Sequence, residues 1–294
     1  MSRHHIWPAT LVLALAAVPT VQAQRSDRSD RDRERAAARH DHDDHDDWLE
    51  HCRRGDWDDS QRARFCEERT MGWRAQSGLA LTVDASPNGG VSVSGWDRDS
   101  VHVILKVQAQ AGSDEEAREL ARQVRVINEN GVLRVDGPSS RRWASWSVTF
   151  EIYAPRRVDL DLETVNGPLA VEDVVGRLRL QAQNGPLSLE HVGGDVQARA
   201  QNGPLHVELS GTRWEGTGLN AETQNGPLVL EVPDGYNAEL ETGTINGPMD
   251  IGFPITVQGR IGMGSRRRIT TTLGSGGTAI RAVTTNGPAV IRRI

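Results

Sequence analysis

The sequence predicts an all-β protein: a single-chain right-handed β-solenoid, or β-helix, with one short helix and a disordered N-terminal segment. Three observations predict this class. From Leu79 onward, short runs of alternating apolar and polar residues are separated by Gly, Pro and Asn, which is typical of all-β domains. The tripeptide Asn-Gly-Pro recurs six times between residues 166 and 288. Clear helical periodicity occurs in one segment, residues 113–124.

The Asn-Gly-Pro repeats share a fixed frame. Apolar or small residues stand two, four and six positions before the asparagine and three and five after it, as at Ala182, Leu187 and Leu189. Successive asparagines are 18, 18, 23, 21 and 40 residues apart, and we interpret the last spacing as about two repeats. Two looser copies occupy residues 88–93 and 130–135. The frame predicts a recurring corner whose asparagines stack at about 4.8 Å and hydrogen-bond to each other. They are Asn166, Asn184, Asn202, Asn225, Asn246 and Asn286.

Two folds are compatible with this repeat. In an antiparallel β-meander, Asn-Gly would form a two-residue type I′ hairpin turn. The residue after Asn-Gly would then have to donate its N–H to close the turn, and proline has no N–H. A solenoid corner has no such requirement, so proline favours the solenoid over the meander. In that corner, glycine is expected to supply a positive φ angle.

The N-terminal part of the chain predicts export. Residues 1–23 have the features of a signal peptide: Arg3, a short apolar run and small residues ending at Ala23. Residues 24–47 contain no aliphatic side chain larger than alanine, so we expect a disordered Arg/Asp/His-rich linker. The expected mature chain has no transmembrane segment and is periplasmic, on the cell surface or secreted.

A small segment, residues 48–77, is predicted to be held by a disulfide between Cys52 and Cys66, the two cysteines of the chain. Cysteine pairs in exported proteins are normally oxidised. We also expect a helical turn within residues 60–69. Residues 78–294 then form the β-solenoid domain.

The one helix candidate is residues 113–124. Ser113 is a suitable N-cap, and Glu116 follows it at the capping-box position. Ala117, Leu120, Ala121 and Val124 form one apolar stripe, which is expected to cover an end or a face of the sheets.

Metal-ligating side chains are concentrated at the end of the linker. His40, His42, His45 and His51 lie among aspartates and glutamates, and imidazole with carboxylate suits divalent transition metals. The tract therefore either binds such a metal weakly or is a solvated acidic linker. No other cofactor is predicted.

The sequence contains no motif for catalysis of the G-x-S-x-G, Walker or H-E-x-x-H type, and we predict no catalytic residues and no enzyme. The formal charge of −6 and the lack of a basic stripe exclude nucleic acid as the expected partner.

Two surface clusters have alternative interpretations. Arg266, Arg267, Arg268, Arg292 and Arg293 form basic groups that either contact anionic envelope polymers or protect an open sheet edge at the C-terminus. In addition, Trp143 and Trp146, beside two arginines, either stack on sugars or pack against the predicted helix.

The stretch GGVSVSGWDRDSVHV (residues 89–103), followed by the Asn-Gly-Pro repeats, resembles the bacterial secreted putative-adhesin family, a domain of unknown function. The resemblance covers about residues 79–294. It implies an exported β-solenoid that binds or scaffolds at the cell envelope or surface, without catalytic residues. An envelope polysaccharide or a surface protein would be the partner. The alternatives are a periplasmic metal-binding protein acting through the His/Asp tract and a carbohydrate-active β-helix enzyme.

Overall fold

The computed structural model describes residues 48–53, 62–76, 78, 80–85, 87–254 and 267–294. The predicted signal peptide, the linker and His40, His42 and His45 lie outside these residues. The chain divides into two units, residues 1–50 and 51–294, and the second holds the architecture below. Across the described residues, no helix combines the length and the apolarity needed to cross a membrane.

Within the part of the second unit that the structure describes, there are twenty strands and one well-formed helix. The strands are β1 (Ala63–Arg74), β2 (Ala80–Asp84), β3 (Val91–Trp96), β4 (Ser100–Ala111), β5 (Arg125–Glu129), β6 (Val132–Asp136), β7 (Ser145–Pro155), β8 (Asp159–Asn166), β9 (Leu169–Glu172), β10 (Val175–Asn184), β11 (Leu187–Glu190), β12 (Gly193–Asn202), β13 (Leu205–Glu208), β14 (Gly218–Asn225), β15 (Leu228–Val232), β16 (Ala238–Asn246), β17 (Met249–Ile251), β18 (Arg267–Leu273), β19 (Ala279–Asn286) and β20 (Ala289–Arg293). The helix is Asp114–Gln123. The all-β prediction is confirmed.

The strands form two ten-stranded sheets. Sheet I has the order β1-β4-β7-β3-β9-β11-β13-β15-β20-β17, and sheet II has the order β18-β16-β19-β14-β12-β10-β8-β2-β6-β5. Pairing is antiparallel for β1 with β4, β4 with β7, β16 with β18 and β5 with β6. The other pairs in the two sheets are parallel. Every strand that ends in a repeat asparagine lies in sheet II, and the strand after the corner lies in sheet I.

The Asn-Gly-Pro repeats stack in register. Asn184 is opposite Asn166 on one side and Asn202 on the other, and all three strands run parallel. Leu187 is likewise opposite Leu169 and Leu205 in sheet I. An antiparallel meander would not produce this pairing. Because each repeat has the same frame, the apolar residues of both sheets face inward and form one hydrophobic core.

The corner glycines are required for a reason other than the predicted positive φ angle. Among the six repeats, only Gly287 has φ in the positive range, at 154°. At Gly203, an added Cβ would lie 2.0 Å from the carbonyl oxygen of Gly185, and at Gly185 it would lie 2.1 Å from that of Gly167. Glycine is therefore needed because stacked corners bring two backbones together, and the prediction that it supplies a positive φ was wrong for the other five repeats.

Hydrogen bonds at the corner run between neighbouring repeats. The Gly185 N–H donates to the Asn202 carbonyl at 3.1 Å, and the Leu187 N–H donates to the Pro204 carbonyl at 2.9 Å. Pro186, which lies between Gly185 and Leu187, only has to accept a hydrogen bond through its carbonyl. This pattern explains why proline is tolerated inside a run of strand pairing.

The last repeat occupies an unexpected place. We predicted that the 40-residue spacing before Asn286 holds about two repeats. The structure instead places β18 antiparallel to β16 at the sheet edge and inserts β19 between β14 and β16. In sheet I, β20 is inserted between β15 and β17 in the same way. The final strands are therefore interior, so the expected open edge does not lie at the last strand of the chain. Sheet II instead ends at β18, the strand that carries Arg267 and Arg268.

The helical turn expected within residues 60–69 was also wrong, because Ala63–Arg74 is strand β1 and pairs with β4 along its whole length. Backbone pairing with the long neighbouring strand β4 outweighs the local helical tendency of this polar segment. Residues 48–53 are helical instead.

The helix Asp114–Gln123 agrees with the prediction. The Ser113 side chain accepts from the Glu116 N–H at 3.3 Å, and Ala117 and Ala121 are buried. Its C-terminal end is held by Arg69 of β1, which donates to the carbonyls of Ala121 at 2.8 Å and Val124 at 2.6 Å. The helix thus covers the β1–β4 end of the core.

Candidate functional site

The asparagine side chains of the stacked corners form one hydrogen-bonded row. Asn184 donates through Nδ2 to Oδ1 of Asn166 at 3.1 Å, and Asn202 donates to Asn184 at 2.9 Å. Asn225, Asn286 and Asn246 continue the row at 2.8–2.9 Å. Asn166 also donates to Asn88 of the looser upstream copy at 3.1 Å. The row uses each amide as donor to one neighbour and acceptor from the next, so it is structural.

The outer face of sheet II carries a polar groove beside this row. The groove has a volume of about 600 Å³ and crosses β8, β10, β12 and β14. Four exposed glutamines line it, together with Glu163, Arg199 and Glu222. The glutamines are Gln181, Gln183, Gln201 and Gln224. Three of them directly precede the stacked asparagines Asn184, Asn202 and Asn225, so their spacing follows that of the strands.

Two of the three charged side chains that line the groove form an ion pair with each other. Arg199 lies 3.1 Å from Glu222, and Glu222 also lies 3.2 Å from Arg281. Glu163, Gln181, Arg199 and Glu222 are opposite one another on four successive strands. Three strand spacings of about 4.8 Å put Glu163 and Glu222 roughly 14 Å apart. Paired glycosidase carboxylates are separated by about 5–9.5 Å, so this pair does not fit that arrangement.

The outer face of sheet I is chemically different, because it carries a row of like charges. Four glutamates are opposite one another on β9, β11, β13 and β15, and Arg292 of β20 continues the row. We call this set the acidic row; it consists of Glu172, Glu190, Glu208 and Glu231. Like charges placed directly opposite each other destabilise a sheet, so the row requires compensating cations.

Arg292 and His206 flank the buried end of the acidic row. Glu231 is only 6% exposed, and the Arg292 Nε donates to its Oε1 at 2.5 Å. The His206 Nε2 lies 3.4 Å from the other oxygen, Oε2. Burial raises the pKa of Glu231, but Arg292 and His206 together outweigh it, so the pKa lies below its ordinary value.

A second histidine lies at the exposed end of the row. His191 is 3.5 Å from Asp173 and 3.2 Å from Glu208. Asp173 and His191 both have positive φ, 58° and 52°, at equivalent turns after β9 and β11. Asp173 is also paired with Arg156 at 3.0 Å. The hydrogen bond from Arg156 to Asp173 raises the pKa of the arginine, against the opposing effect of burial.

Other predicted residues have the following positions. Cys52 and Cys66 form a disulfide. His51 lies in the helical residues 48–53. Arg292 and Arg293 pair with Glu231 and Asp234, respectively, on an interior strand, so neither protects an edge. Residues 255–266, which include Arg266, lie outside the described residues.

The two tryptophans do not form one platform. Trp146 is buried and its Nε1 donates to the Pro138 carbonyl at 2.7 Å. Trp143 is exposed, with the guanidinium groups of Arg62 and Arg142 at 5.6 and 5.5 Å from its ring centroid. Only one indole is available at this surface, so a paired sugar-stacking site is not present at these two residues.

Sequence reasoning missed the acidic row, although the signal was visible. The four glutamates stand six positions after Asn166, Asn184, Asn202 and Asn225. His206 stands four positions after Asn202. Recurring charge at the outward-facing polar positions of the repeat frame is the sequence signal that indicates this row.

Comparison with known proteins finds distant structural similarity. No protein-family model and no curated protein matches the chain. A putative cell adhesion protein from Clostridium sporogenes matches at 9% identity and TM-score 0.37, over 78% of this chain and 100% of that chain. A putative adhesin from Bacteroides fragilis matches at 12% identity and TM-score 0.27, over 78% of this chain and 97% of that chain. A putative lipid binding protein from Parabacteroides distasonis matches at 9% identity and TM-score 0.27, over 77% of this chain and 96% of that chain. The neighbours thus include putative adhesins of bacterial origin.

Proposed function

We propose that this protein is an exported, non-catalytic binding protein whose residues 78–294 form a right-handed β-solenoid that binds an envelope polysaccharide. The observation that carries the proposal is the glutamine-lined groove on the outer face of sheet II. The in-register parallel strands and the asparagine row support the solenoid, since identical corners stack on one another through the repeats.

The groove suits a hydroxyl-rich polymer. Each glutamine amide offers both donors and an acceptor, and a sugar hydroxyl can use either. Gln183, Gln201 and Gln224 present these groups on successive rigid strands, so an extended chain lying across the strands meets similar partners repeatedly. Arg199 and Glu222 are already paired with each other, so among the charged residues of the groove lining only Glu163 stands outside that pair.

The placement of the carboxylates supports a binding role without catalysis. Glu163 is about three strand spacings from Glu222, too far for the paired-carboxylate mechanism. Glu222 is also held by two arginines. The groove therefore has hydrogen-bonding groups for a polysaccharide, whereas Glu163 and Glu222 are too far apart to act together as the acid and the nucleophile that cleave one.

Export is supported by two features. The Cys52–Cys66 disulfide is typical of oxidising compartments outside the cytoplasm. The N-terminal 23 residues have the signal-peptide pattern. An envelope location would bring the groove into contact with surface polysaccharide.

Co-sedimentation with isolated cell envelopes tests the proposal. The purified chain from residue 24 onward is mixed with envelopes, and with envelopes digested by protease to leave polysaccharide and lipid. We expect it to pellet with both. The double variant Gln183→Ala/Gln201→Ala should lose most of this binding because it removes amides on two adjacent strands.

The matched control is Gln197→Ala. Gln197 is exposed and lies on β12 like Gln201, but outside the groove, so its removal should leave the pelleted fraction unchanged. Binding that disappears after protease digestion would indicate a surface protein as partner. Equal pelleting of wild type and double variant would show that the groove is not the binding site.

A further inference from the structure

We propose that His206, Glu208 and Glu231 form a binding site for a divalent transition metal, with Zn²⁺ as the probe, on the outer face of sheet I. One ligand atom from each of the three residues lies within 4.8 Å of the others. The site is separate from the groove on sheet II, and it does not depend on the proposed polysaccharide binding.

The register of two strands assembles the three side chains. His206 and Glu208 alternate with buried Leu205 and Val207 on β13 and therefore point to the same outer face. Glu231 on β15 is directly opposite Glu208. The ligands thus come from sheet strands with a fixed backbone spacing, and the backbone need not move to bring them together.

The geometry between His206 and Glu231 matches two ligands of one metal ion. The His206 Nε2 lies 3.4 Å from Glu231 Oε2. In a tetrahedral zinc site with bonds of 2.0–2.2 Å, a nitrogen and an oxygen ligand are about 3.4 Å apart. Nε2 is shielded from solvent, and its contact with Glu231 Oε2 does not have the geometry of a hydrogen bond. A metal ion would accept the lone pair of Nε2. A buried polar atom that stays without a partner otherwise costs free energy.

Arg292 prepares the glutamate for this role. It contacts Oε1 of Glu231 through both Nε and Nη2, so Oε2 is directed towards His206. Hydrogen bonds of this kind to a ligating carboxylate orient it and are a regular part of protein metal sites. The carboxylate is 6% exposed, and it is therefore already desolvated.

The charge of the acidic row also favours a cation here. Four stacked glutamates face one arginine in the row, and a divalent ion between Glu208 and Glu231 would reduce their repulsion. Imidazole with carboxylates suits Zn²⁺, Ni²⁺ or Cu²⁺, whereas Ca²⁺ and Mg²⁺ prefer oxygen ligands alone. Three protein ligands leave one position of a tetrahedral ion open.

The cluster of Glu172, Asp173 and His191 provides an internal comparison. It has the same residue types within 4.8 Å, but Glu172 and His191 are exposed and Asp173 is paired with Arg156 at 3.0 Å. We therefore assign the metal to the His206 cluster. Since His191 itself contacts the proposed ligand Glu208 at 3.2 Å, the control is Asp173→Asn, which removes a carboxylate from the comparison cluster only.

Zinc binding by the chain from residue 24 onward tests the assignment. The number of tightly bound Zn²⁺ ions is measured by competition with a chromophoric chelator for wild type, His206→Ala and Asp173→Asn. The N-terminal His/Asp tract is present in all three and contributes equally. We expect His206→Ala to bind one Zn²⁺ fewer than wild type and Asp173→Asn to bind the same number. Zn²⁺ should raise the Tm of wild type and Asp173→Asn by a larger amount than that of His206→Ala.

Glu208→Gln gives a second route to the same result, because it removes a ligand charge while keeping the side-chain volume. It should also bind one ion fewer, and circular dichroism without metal shows whether each variant is folded. An unchanged zinc count in folded His206→Ala or Glu208→Gln would overturn the proposal. A loss in Asp173→Asn alone would place the metal in the other cluster and overturn it as well.

Discussion

Asn286 donates through Nδ2 to Oδ1 of Asn225 at 2.8 Å, across 61 residues of sequence. Asn246, which lies between them in the sequence, stacks on the far side of Asn286. The last repeat of the chain is therefore inserted between two earlier ones. Strands β19 and β20 complete both sheets at once, because β19 joins β14 to β16 and β20 joins β15 to β17.

Removal of residues 278–294 should therefore be far more damaging than the loss of a terminal strand at a sheet edge. The deletion removes Ile280, Ala282 and Ile291, which are at most 1% exposed, and leaves β16 and β17 without their inner neighbours. Full burial of each isoleucine contributes about 1.5–3 kcal/mol, and a whole domain is stable by only about 5–15 kcal/mol. We expect urea unfolding of the shortened chain to lose its cooperative transition.

Deletion of Ile294 alone is the control for this experiment. Its side chain is 52% exposed, so the urea midpoint should stay within error of wild type. A shortened chain that unfolds cooperatively near the wild-type midpoint would show that the inserted strands are dispensable.

Gly203→Ala should destabilise the stacked corners. The new Cβ would lie 2.0 Å from the Gly185 carbonyl oxygen, a backbone atom that cannot turn away. Overpacking of this kind typically costs about 1–3 kcal/mol, and a backbone clash puts it at the upper end or beyond. Thermal unfolding should show a clearly lower Tm than wild type.

Gly252→Ala is the matched control, since its Cβ would lie 3.6 Å from the nearest atom, the Ile291 carbonyl oxygen. That distance is an ordinary contact, and the Tm should change little. If the two alanine variants have the same Tm, close stacking is not the reason for glycine at the corner.

The sequence predicted those features of the fold that depend on short, local residue patterns. The helix after Ser113 and the row that includes Asn184 and Asn202 follow from patterns within a few residues, and both are present in the structure. The order of the repeats is different. Because every repeat has the same frame, Asn286 fits equally well beside Asn225 or beyond Asn246, and the pattern cannot distinguish the two places.

The candidate sites show the same limit. The reason expected for the corner glycines was wrong in five of the six repeats, since both a positive φ and a close backbone approach select glycine and the sequence does not tell them apart. The glutamates of the acidic row recur visibly in the sequence, but their proximity to His206 depends on which strands are neighbours. Glu208 and Glu231 meet only because β13 pairs with β15 across the interruption at residues 210–217.

Reduction of the Cys52–Cys66 disulfide should loosen the edge of sheet I. Cys66 lies on β1, the edge strand, and is 2% exposed, while the bond spans a sequence separation of 14 residues. Closing a loop of this length stabilises a protein by roughly 3 kcal/mol through the entropy of the unfolded chain. We expect a reducing agent to lower the unfolding free energy by about that amount, measured by urea titration. The Cys52→Ala/Cys66→Ala variant should be weakened without reductant and insensitive to it, and a reductant effect that persists in the variant would contradict this explanation.

Alkaline pH should destabilise the protein through Tyr236. Its side chain is 3% exposed, and burial raises the pKa of the phenol to about 12, compared with about 10 in an unfolded chain. The neutral phenol is the form that the folded state favours, so its stability is complete below pH 10 and falls as the pH rises from 10 to 12. The pKa of the folded protein is thus about two higher than that of the unfolded chain, which corresponds to roughly 2–3 kcal/mol of folding stability. Urea titrations at pH 8 and pH 12 should therefore show a larger alkaline loss for wild type than for Tyr236→Phe, which cannot ionise at this position. Because Tyr153 and the arginines are common to both proteins, equal losses in the two would show that Tyr236 ionises as easily in the folded protein as in the unfolded chain.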